Sequence, residues 1–518
     1  MLIRMYLMLM TVLCGLSPLM ADRPNVLLIV SEDNGPELGC YGDPYARTPQ
    51  LDRLAGEGLR FERAYVTQAG CSQSRASFLT GLYPHQHGQI GLATWGFRLY
   101  RDDTPNLPRS LKEAGYRTGL IGKLHINPDS AFPFDFHEIK SGNFARKNLQ
   151  DYSRHAATFF NTGDEPFFLS VNYPDAHDLW LRQVNGLPAE PQTADEVQAM
   201  SYMGLDPPNM REMVADYYNC ISRLDSLVGD LLSELEKSGK AENTIVIYFG
   251  DHGADMLRGK RTCYEGGLQI PLLIRWPGKI APQVRSELVS TIDLVPTILM
   301  AADVQPAEKL PGLPLQPLFK PGPAEWRTHC FAEYHTHATV NNYLPQRSVC
   351  TDRYKLIETL LPGEIHPDYD VTISKLEKEA KRREIAGGLD LHREIAQASS
   401  AVRAAYALMR QPPRYQLYDL QADPYEFIDL ANSTEHANVL KELQTALTQW
   451  RVETHDPLLD PDNLQRLTSE VRSIKKKALA KEHHWGYPDY LFGREPSAVS
   501  PVKKKKKQQT ADDDDDDE

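Results

Sequence analysis

Val26-Leu27-Leu28-Ile29-Val30-Ser31-Glu32-Asp33 starts as an apolar run and ends in two acids. A run this short, made of β-type residues, reads as a strand. Similar runs recur at 118–122, 167–172, 245–249 and 271–276. Helical patterns lie between them. Thr48-Pro49 supplies N-cap and first-turn residues for a helix with Leu51, Leu54 and Ala55 on its apolar side. Residues 107–114 read as a helix stopped by Gly115. From 210 to 238, Val214, Tyr217, Ile221, Leu224, Val228, Leu231 and Leu235 keep helical spacing. Alternation of this kind predicts an α/β fold: a largely parallel central sheet sandwiched by helices.

The texture changes near 325. Strand patterns appear at 354–357 and 416–420, a charged helical segment runs over 373–410, and another helix covers 435–453. These predict a smaller α+β domain with a short antiparallel sheet at 325–460, after a first domain at 22–324. From 461 to 518 the chain is mostly polar and ends in a lysine block at 503–507 and an acidic block at 512–518. That composition predicts a largely disordered charged tail. At the other end, Arg4, an apolar stretch at 5–16 and Ala21 have the layout of a signal peptide over 1–21. It predicts a secreted or periplasmic protein. No later stretch is apolar enough to span a membrane. A net charge of −13 speaks against a nucleic-acid-binding surface. The cysteines form no CxxC pair, so no zinc or redox framework is read.

Chemistry-bearing residues gather where the strands end. Glu32 and Asp33 follow the first strand, Lys123 and His125 the 118–122 strand, Asp175 and His177 the 167–172 strand, and Asp251 and His252 the 245–249 strand. Ligands of open α/β sheets bind at the carboxyl ends of the strands. Glu32, Asp33 and Asp251 are hard oxygen donors, and with His252 they suit calcium or magnesium better than zinc. Cys71 opens a short helical stretch that ends at Gly81, so first-turn N–H groups would face whatever Cys71 holds. Arg75 adds a planar cation one turn on.

Cys71-x-x-Ser74-Arg75 followed by Ala-Ser-Phe-Leu-Thr-Gly81 resembles the signature of type I sulfatases, within the alkaline phosphatase superfamily. Leu38-Gly39-Cys40-Tyr41-Gly42-Asp43, Thr48-Pro49-Gln50-Leu51-Asp52, Gly122-Lys123-x-His125 and Gly259-Lys260-Arg261-Thr262-x-Tyr264-Glu265-Gly266-Gly267 look like the same family. So do Leu417-Tyr418-Asp419-Leu420 and Asp423-Pro424-x-Glu426, and the resemblance runs in order over roughly 24–455. Short stretches at 121–125, 133–136 and 450–457 look most like the heparan N-sulfatase (sulfamidase) branch. Two positions depart from the pattern. Glu32 stands where the family's first metal carboxylate is usually Asp, and Gln73 where the Cys-x-Pro-x-Arg or Cys-x-Ala-x-Arg core has Pro or Ala.

The resemblance implies a sulfatase that hydrolyses sulfate esters or N-sulfo groups on sulfated, glycosaminoglycan-type glycans. It implies that a formylglycine-generating maturation enzyme oxidises Cys71 to formylglycine, and that one Ca2+ is bound by Glu32, Asp33, Asp251, His252 and the modified Cys71. Arg75, Lys123, His125, His177 and Lys260 would complete the catalytic set. Glu333, His335 and His337 open the second domain as a polar cluster that could read substrate, with Asp175 and Arg182 in a similar position. Two other readings stay open: a phosphodiesterase or phosphonate hydrolase of the same superfamily, and an inactive sulfated-glycan binder whose Cys71 is never converted.

Overall fold

The computed structural model describes residues 23–493 apart from 477, 478, 481 and 482. The signal peptide expected at 1–21 and the terminal charge blocks lie outside the described residues. β1 (Asn25–Ser31) is buried along its whole length. It lies inside a nine-stranded sheet with β2 (Leu59–Tyr65), β3 (Arg117–Gly122), β4 (Phe136–Glu138), β5 (Phe167–Tyr173), β6 (Thr244–Gly250), β7 (Gln269–Arg275), β8 (Gln283–Arg285) and β9 (Val289–Ser290), in the order β4-β3-β5-β1-β6-β7-β2-β8, with β9 also on β2. Burial of both its faces explains the unbroken apolar run of β1, because a strand covered on both sides has no solvent side to alternate toward. The β4 to β6 half is parallel, as the βα alternation predicts. β7 runs antiparallel to both β6 and β2.

The helix Arg211–Lys237 covers the sheet, and Tyr173 of β5 donates to the Leu227 carbonyl at 3.1 Å. The helix Cys71–Thr80 is buried at every position. Phe78 packs edge-on against Phe249 of β6, with ring centres 5.0 Å apart. That contact fixes the helix over the sheet.

The second sheet is antiparallel, in the order β10 (Cys330–Tyr334), β11 (Gln346–Cys350), β12 (Tyr354–Thr359), β13 (Tyr415–Asp419). Its first strand is tied to the first domain, where the Glu333 N–H donates to the Thr67 carbonyl at 2.7 Å.

Two expectations are corrected. The charged segment at 373–410 is three helices, Pro367–Arg382, Leu391–Gln397 and Ser400–Arg410. Gly387 and Gly388 take positive φ between the first two, and Asp390 and Ser399 cap the next two by accepting from Arg393 N and Val402 N. The polar stretch after 461 is not simply a disordered tail. Pro461–Ser473 is a helix with Asp460 as its N-cap. Leu467 and Val471 are fully buried in a cluster with Phe97, Tyr100, Trp485 and Tyr487, and Phe97 stacks on Trp485 at 4.2 Å. One apolar residue per turn buries a narrow stripe that average polarity hides. Among the described residues no helix is long and apolar enough to cross a membrane.

Candidate active site

The floor of the site follows from strand adjacency. β1 and β6 are parallel neighbours, with Ser31 opposite Gly250, so Glu32-Asp33 and Asp251-His252 leave the sheet side by side. The Asp33 N–H donates to Asp251 Oδ1 at 3.0 Å, and the left-handed φ of 48° at Asp33 turns the chain there. The three carboxylates are buried, so each needs a compensating partner. Arg75 meets two of them, donating from Nη2 to Glu32 and to Asp251 Oδ2, the latter at 3.2 Å. Its Nη1 donates to Asn172 Oδ1 at 2.8 Å and to the Lys123 carbonyl at 3.1 Å. Lys123 Nζ adds an ion pair to Glu32 Oε2 at 3.3 Å, and Lys260 Nζ donates to both oxygens of Asp33 at 3.1 Å. Burial opposes ionisation of Glu32, but Arg75 and Lys123 outweigh it and hold its carboxyl well below the usual range. Asp251 moves the other way, raised by burial and by Glu32.

Cys71 sits at the first position of its helix, behind the extended Gly70, and is 2% exposed. Its Sγ is 3.4 Å from His252 Nε2. Burial pushes the thiol pKa up, against the pull of Lys123 and Lys260. An unmodified Cys71 is therefore a protonated thiol, and the thiol is not the reactive form of cysteine.

The donor set fits a hard divalent cation. Glu32, Asp33, Cys71 and His177 each bring a ligand atom within 4.8 Å of the others, and so do Cys71, Asp251 and His252. The tautomer of His252 gives a more specific test. Its Nδ1 is 3.0 Å from the Gly253 carbonyl, which only accepts, so Nδ1 carries the proton. Nε2 faces Asp33 Oδ1 at 3.4 Å and Asp251 Oδ1 at 3.7 Å, where a neutral ring would offer a lone pair and an imidazolium a second N–H. Acceptors facing one another are satisfied by a cation between them.

His177 reaches the same cluster from the loop after β5. Its Nδ1 is 3.0 Å from Asp178 Oδ1, and its ring stacks on Phe144 at 3.9 Å. Burial works against its protonation, but Asp33 and Asp178 prevail and raise its pKa. Lys123 Nζ lies over the other partner of this stack, 4.6 Å from the Phe144 ring centre. His125 follows Lys123 with a left-handed φ of 58°.

The four residues expected to contact substrate are placed differently from one another. Asp175 is fully buried and held by Arg223 at 2.7 and 2.8 Å and by Arg146 at 3.1 Å. It holds the loop that carries His177, and it does not line the site. Glu333 is also fully buried; it accepts from the His85 N–H at 2.7 Å, pairs with His85 Nδ1 at 2.7 Å, and lies 3.3 Å from Arg347 Nε. His335 is buried beside it, 3.5 Å from Glu333 Oε1. These two belong to a polar core between the sheets. His337 lies in the loop after β10, and burial and nearby Lys260 hold its pKa well down. Arg182 is exposed.

Several working residues carry no sequence signal of their own. Asn172 and Phe144 are ordinary residues until the fold sets them against Arg75 and His177. Lys375, on the helix Pro367–Arg382, reaches back to Asp178 at 2.8 Å and Asp255 at 2.6 Å. Asp255 in turn pairs with Arg261. Pairings over such sequence distances leave no trace in spacing.

A mostly parallel sheet whose strand ends gather acids, lysines and histidines around a helix-start cysteine and arginine is the architecture of a sulfatase. The sulfatase family profile matches residues 24–304, and that of the N-sulphoglucosamine sulphohydrolase C-terminal region matches 250–380. The chain belongs to the sulfatase family and is a sulfuric ester hydrolase. It is 32% identical to human N-sulphoglucosamine sulphohydrolase, over 84% of this chain and 91% of that protein. It is 28% identical to an ulvan-active sulfatase of Formosa agariphila, over 83% of this chain and 75% of that one. Among solved structures, one in complex with its substrate D-glucosamine-2-N,6-O-disulfate aligns with a TM-score of 0.62 at 21% identity, over 84% of this chain and 98% of that chain. The phosphonate monoester hydrolase of Agrobacterium radiobacter aligns with a TM-score of 0.60 at 18% identity, over 83% and 96%. At these identities the two structures speak to the fold.

Proposed function

We propose that this enzyme removes sulfate from N-sulfo groups or sulfate esters of glycosaminoglycan-type sugars, using a formylglycine made from Cys71 beside a bound calcium ion. The observation that carries the reading is the position of Cys71 Sγ, at the meeting point of both acidic groups and 3.4 Å from His252 Nε2. The human relative's name specifies N-sulphoglucosamine, and a structural neighbour was solved with an N- and O-sulfated glucosamine.

Formylglycine supplies a hydrated aldehyde, an oxygen nucleophile that can release sulfate by re-forming the aldehyde. Glu32, Asp33, Asp251 and His252 would hold a calcium ion, which would supply Lewis acidity beside residue 71. The chain's own side chains do the rest. Arg75 locks Glu32 and Asp251 in place and keeps a positive charge beside residue 71. Lys123 and Lys260 put two ammonium groups where sulfuryl oxygens gain charge, a preorganised stabilisation worth most in a dry site. His177 turns Nδ1 to Asp178, which leaves Nε2 to protonate the departing nitrogen or oxygen. His125 takes up the proton released at residue 71. His337 forms part of the wall that the sugar meets.

Cys71 and Gln73 are buried, so a maturation enzyme reaches them before the fold closes. A leader at 1–21 would carry the protein out to a secreted or periplasmic location, where sulfated polymers are found. The test is a kinetic panel of N-sulfoglucosamine, 6-O-sulfated glucosamine, an aryl sulfate and an aryl phosphonate. A higher kcat/KM on a sulfated sugar than on the phosphonate supports the proposal. A preference for the phosphonate overturns it in favour of the phosphonate hydrolase reading.

A further inference from the structure

Cys330 in β10 and Cys350 in β11 are direct register partners across an antiparallel pair. Among the described residues no other two cysteines face each other in a sheet register. The hydrogen-bond alternation of the strands fixes the kind of pair. Glu333 turns its N–H away from β11, to Thr67. Cys330 is three residues earlier, so it turns its N–H toward β11. On β11, Thr351 turns its N–H to Tyr354 and away from β10, so Cys350 faces β10. Cys330 and Cys350 therefore form a hydrogen-bonded pair, whose Cα atoms stand about 5.5 Å apart. That separation falls within the roughly 4.4–6.8 Å Cα range of disulfides, and the Cβ atoms, about 5.5 Å apart in a hydrogen-bonded pair, must draw in to the roughly 3.5–4.5 Å that the bond needs. Opposed residues also project from the same face of the sheet. Both thiols are buried, at 3% and 5% exposure, and Cys330 Sγ lies 4.0 Å from the Val289 carbonyl.

We propose that Cys330 and Cys350 are a modification site, oxidised to a cross-strand disulfide as the protein matures. The oxidant is a small-molecule or protein disulfide. One thiolate attacks it to form a mixed disulfide and releases one thiol, and the second cysteine then displaces the other. The pair loses two electrons and two protons, and the oxidant leaves as two thiols. Exported proteins meet such oxidants.

The bond would clip the hairpin whose loop walls the active site. In that loop the Thr336 carbonyl accepts from Gln73 Nε2 at 2.7 Å and from Gln68 Nε2 at 3.1 Å, and His337 is the next residue in the chain. The clip thus restrains the wall that touches the Cys71 helix. Its formation does not depend on which sulfated sugar the enzyme accepts.

The experiment uses the full chain, refolded with oxidised and reduced glutathione, alkylated, and digested with trypsin without reduction. Cleavage after Arg327, Arg347 and Arg353 puts the two cysteines on separate peptides, 328–347 and 348–353. Mass spectrometry is expected to find them joined and two hydrogens lighter than their sum. Both cysteines alkylated, or either linked to Cys263, overturns the proposal. A second measurement compares melting temperatures with and without reductant for wild type, C330A, C350A and the double variant. Reductant is expected to lower the wild type by a few degrees and to leave the variants unchanged. A wild type indifferent to reductant overturns it.

Discussion

His252 turns Nε2 to within 3.4 Å of both Cys71 Sγ and Asp33 Oδ1, while its Nδ1–H is committed to the Gly253 carbonyl at 3.0 Å. With a neutral ring Nε2 would meet the carboxylates as an acceptor, an arrangement that a bound cation satisfies. A chelator is therefore expected to abolish turnover, and added calcium to restore it better than magnesium, which demands a stricter octahedron. His252→Ala should raise the calcium concentration needed for half-maximal activity by about ten-fold or more. Calcium titration of chelated enzyme reads this. Activity indifferent to chelator contradicts the metal assignment.

Arg75 joins Glu32, Asp251, Asn172 and the Lys123 carbonyl through one planar group. A lysine keeps the charge but cannot reach these partners together. Arg75→Lys is expected to lower kcat about 10²- to 10³-fold. Arg75→Ala leaves buried carboxylates unpaired and should also cost about 3–5 kcal/mol of stability. Steady-state kinetics and denaturant unfolding check the two effects separately.

Asp175 is bound to Arg223 and Arg146 in the interior. Burial opposes its ionisation, and Arg223 and Arg146 reverse that, holding its pKa below the usual value. Asp175→Ala is expected to destabilise the fold by about 3–5 kcal/mol. A variant with unchanged melting temperature and a raised KM would restore the substrate-contact role expected from sequence.

Asp225 accepts from the N–H groups of Gln50 at 3.0 Å and Leu51 at 2.8 Å, capping the helix Pro49–Gly56 from a neighbouring helix. Burial, helped by Asp52, raises its pKa from 3.8 to about 7. A carboxyl raised in this way binds more protons folded than unfolded between those values. Its stabilising contribution is complete below the lower one and is lost as pH rises through about 7. Asp225→Asn keeps the accepting oxygen and removes the titration. Its stability should gain on the wild type as pH rises from about 4 to about 7, by a few kcal/mol at most, and hold level above that. A difference that stays constant over that range contradicts the assignment.

Much of this site is legible in the sequence. The strand ends name Glu32, Asp33, Lys123, His177, Asp251 and His252, because a parallel sheet brings the carboxyl ends of its strands together along one edge. Other features are hidden for physical reasons. Strand direction is invisible in an apolar run, so antiparallel β7 reads like its parallel neighbours. Burial of charge is set by distant partners, so Asp175 and Glu333 look like ligand contacts until Arg223 and His85 close on them. The 461–473 helix buries only Leu467 and Val471 deeply, too thin a stripe to offset its polar composition.

The central claim rests on the state of residue 71. Mass spectrometry of the peptide spanning Cys71–Arg75 from protein made in its native host tests it most directly. Most of that peptide is expected to carry formylglycine in place of the thiol despite Gln73, with activity proportional to the converted fraction and absent in Cys71→Ala. A peptide that is wholly unconverted cysteine in active protein would contradict the account.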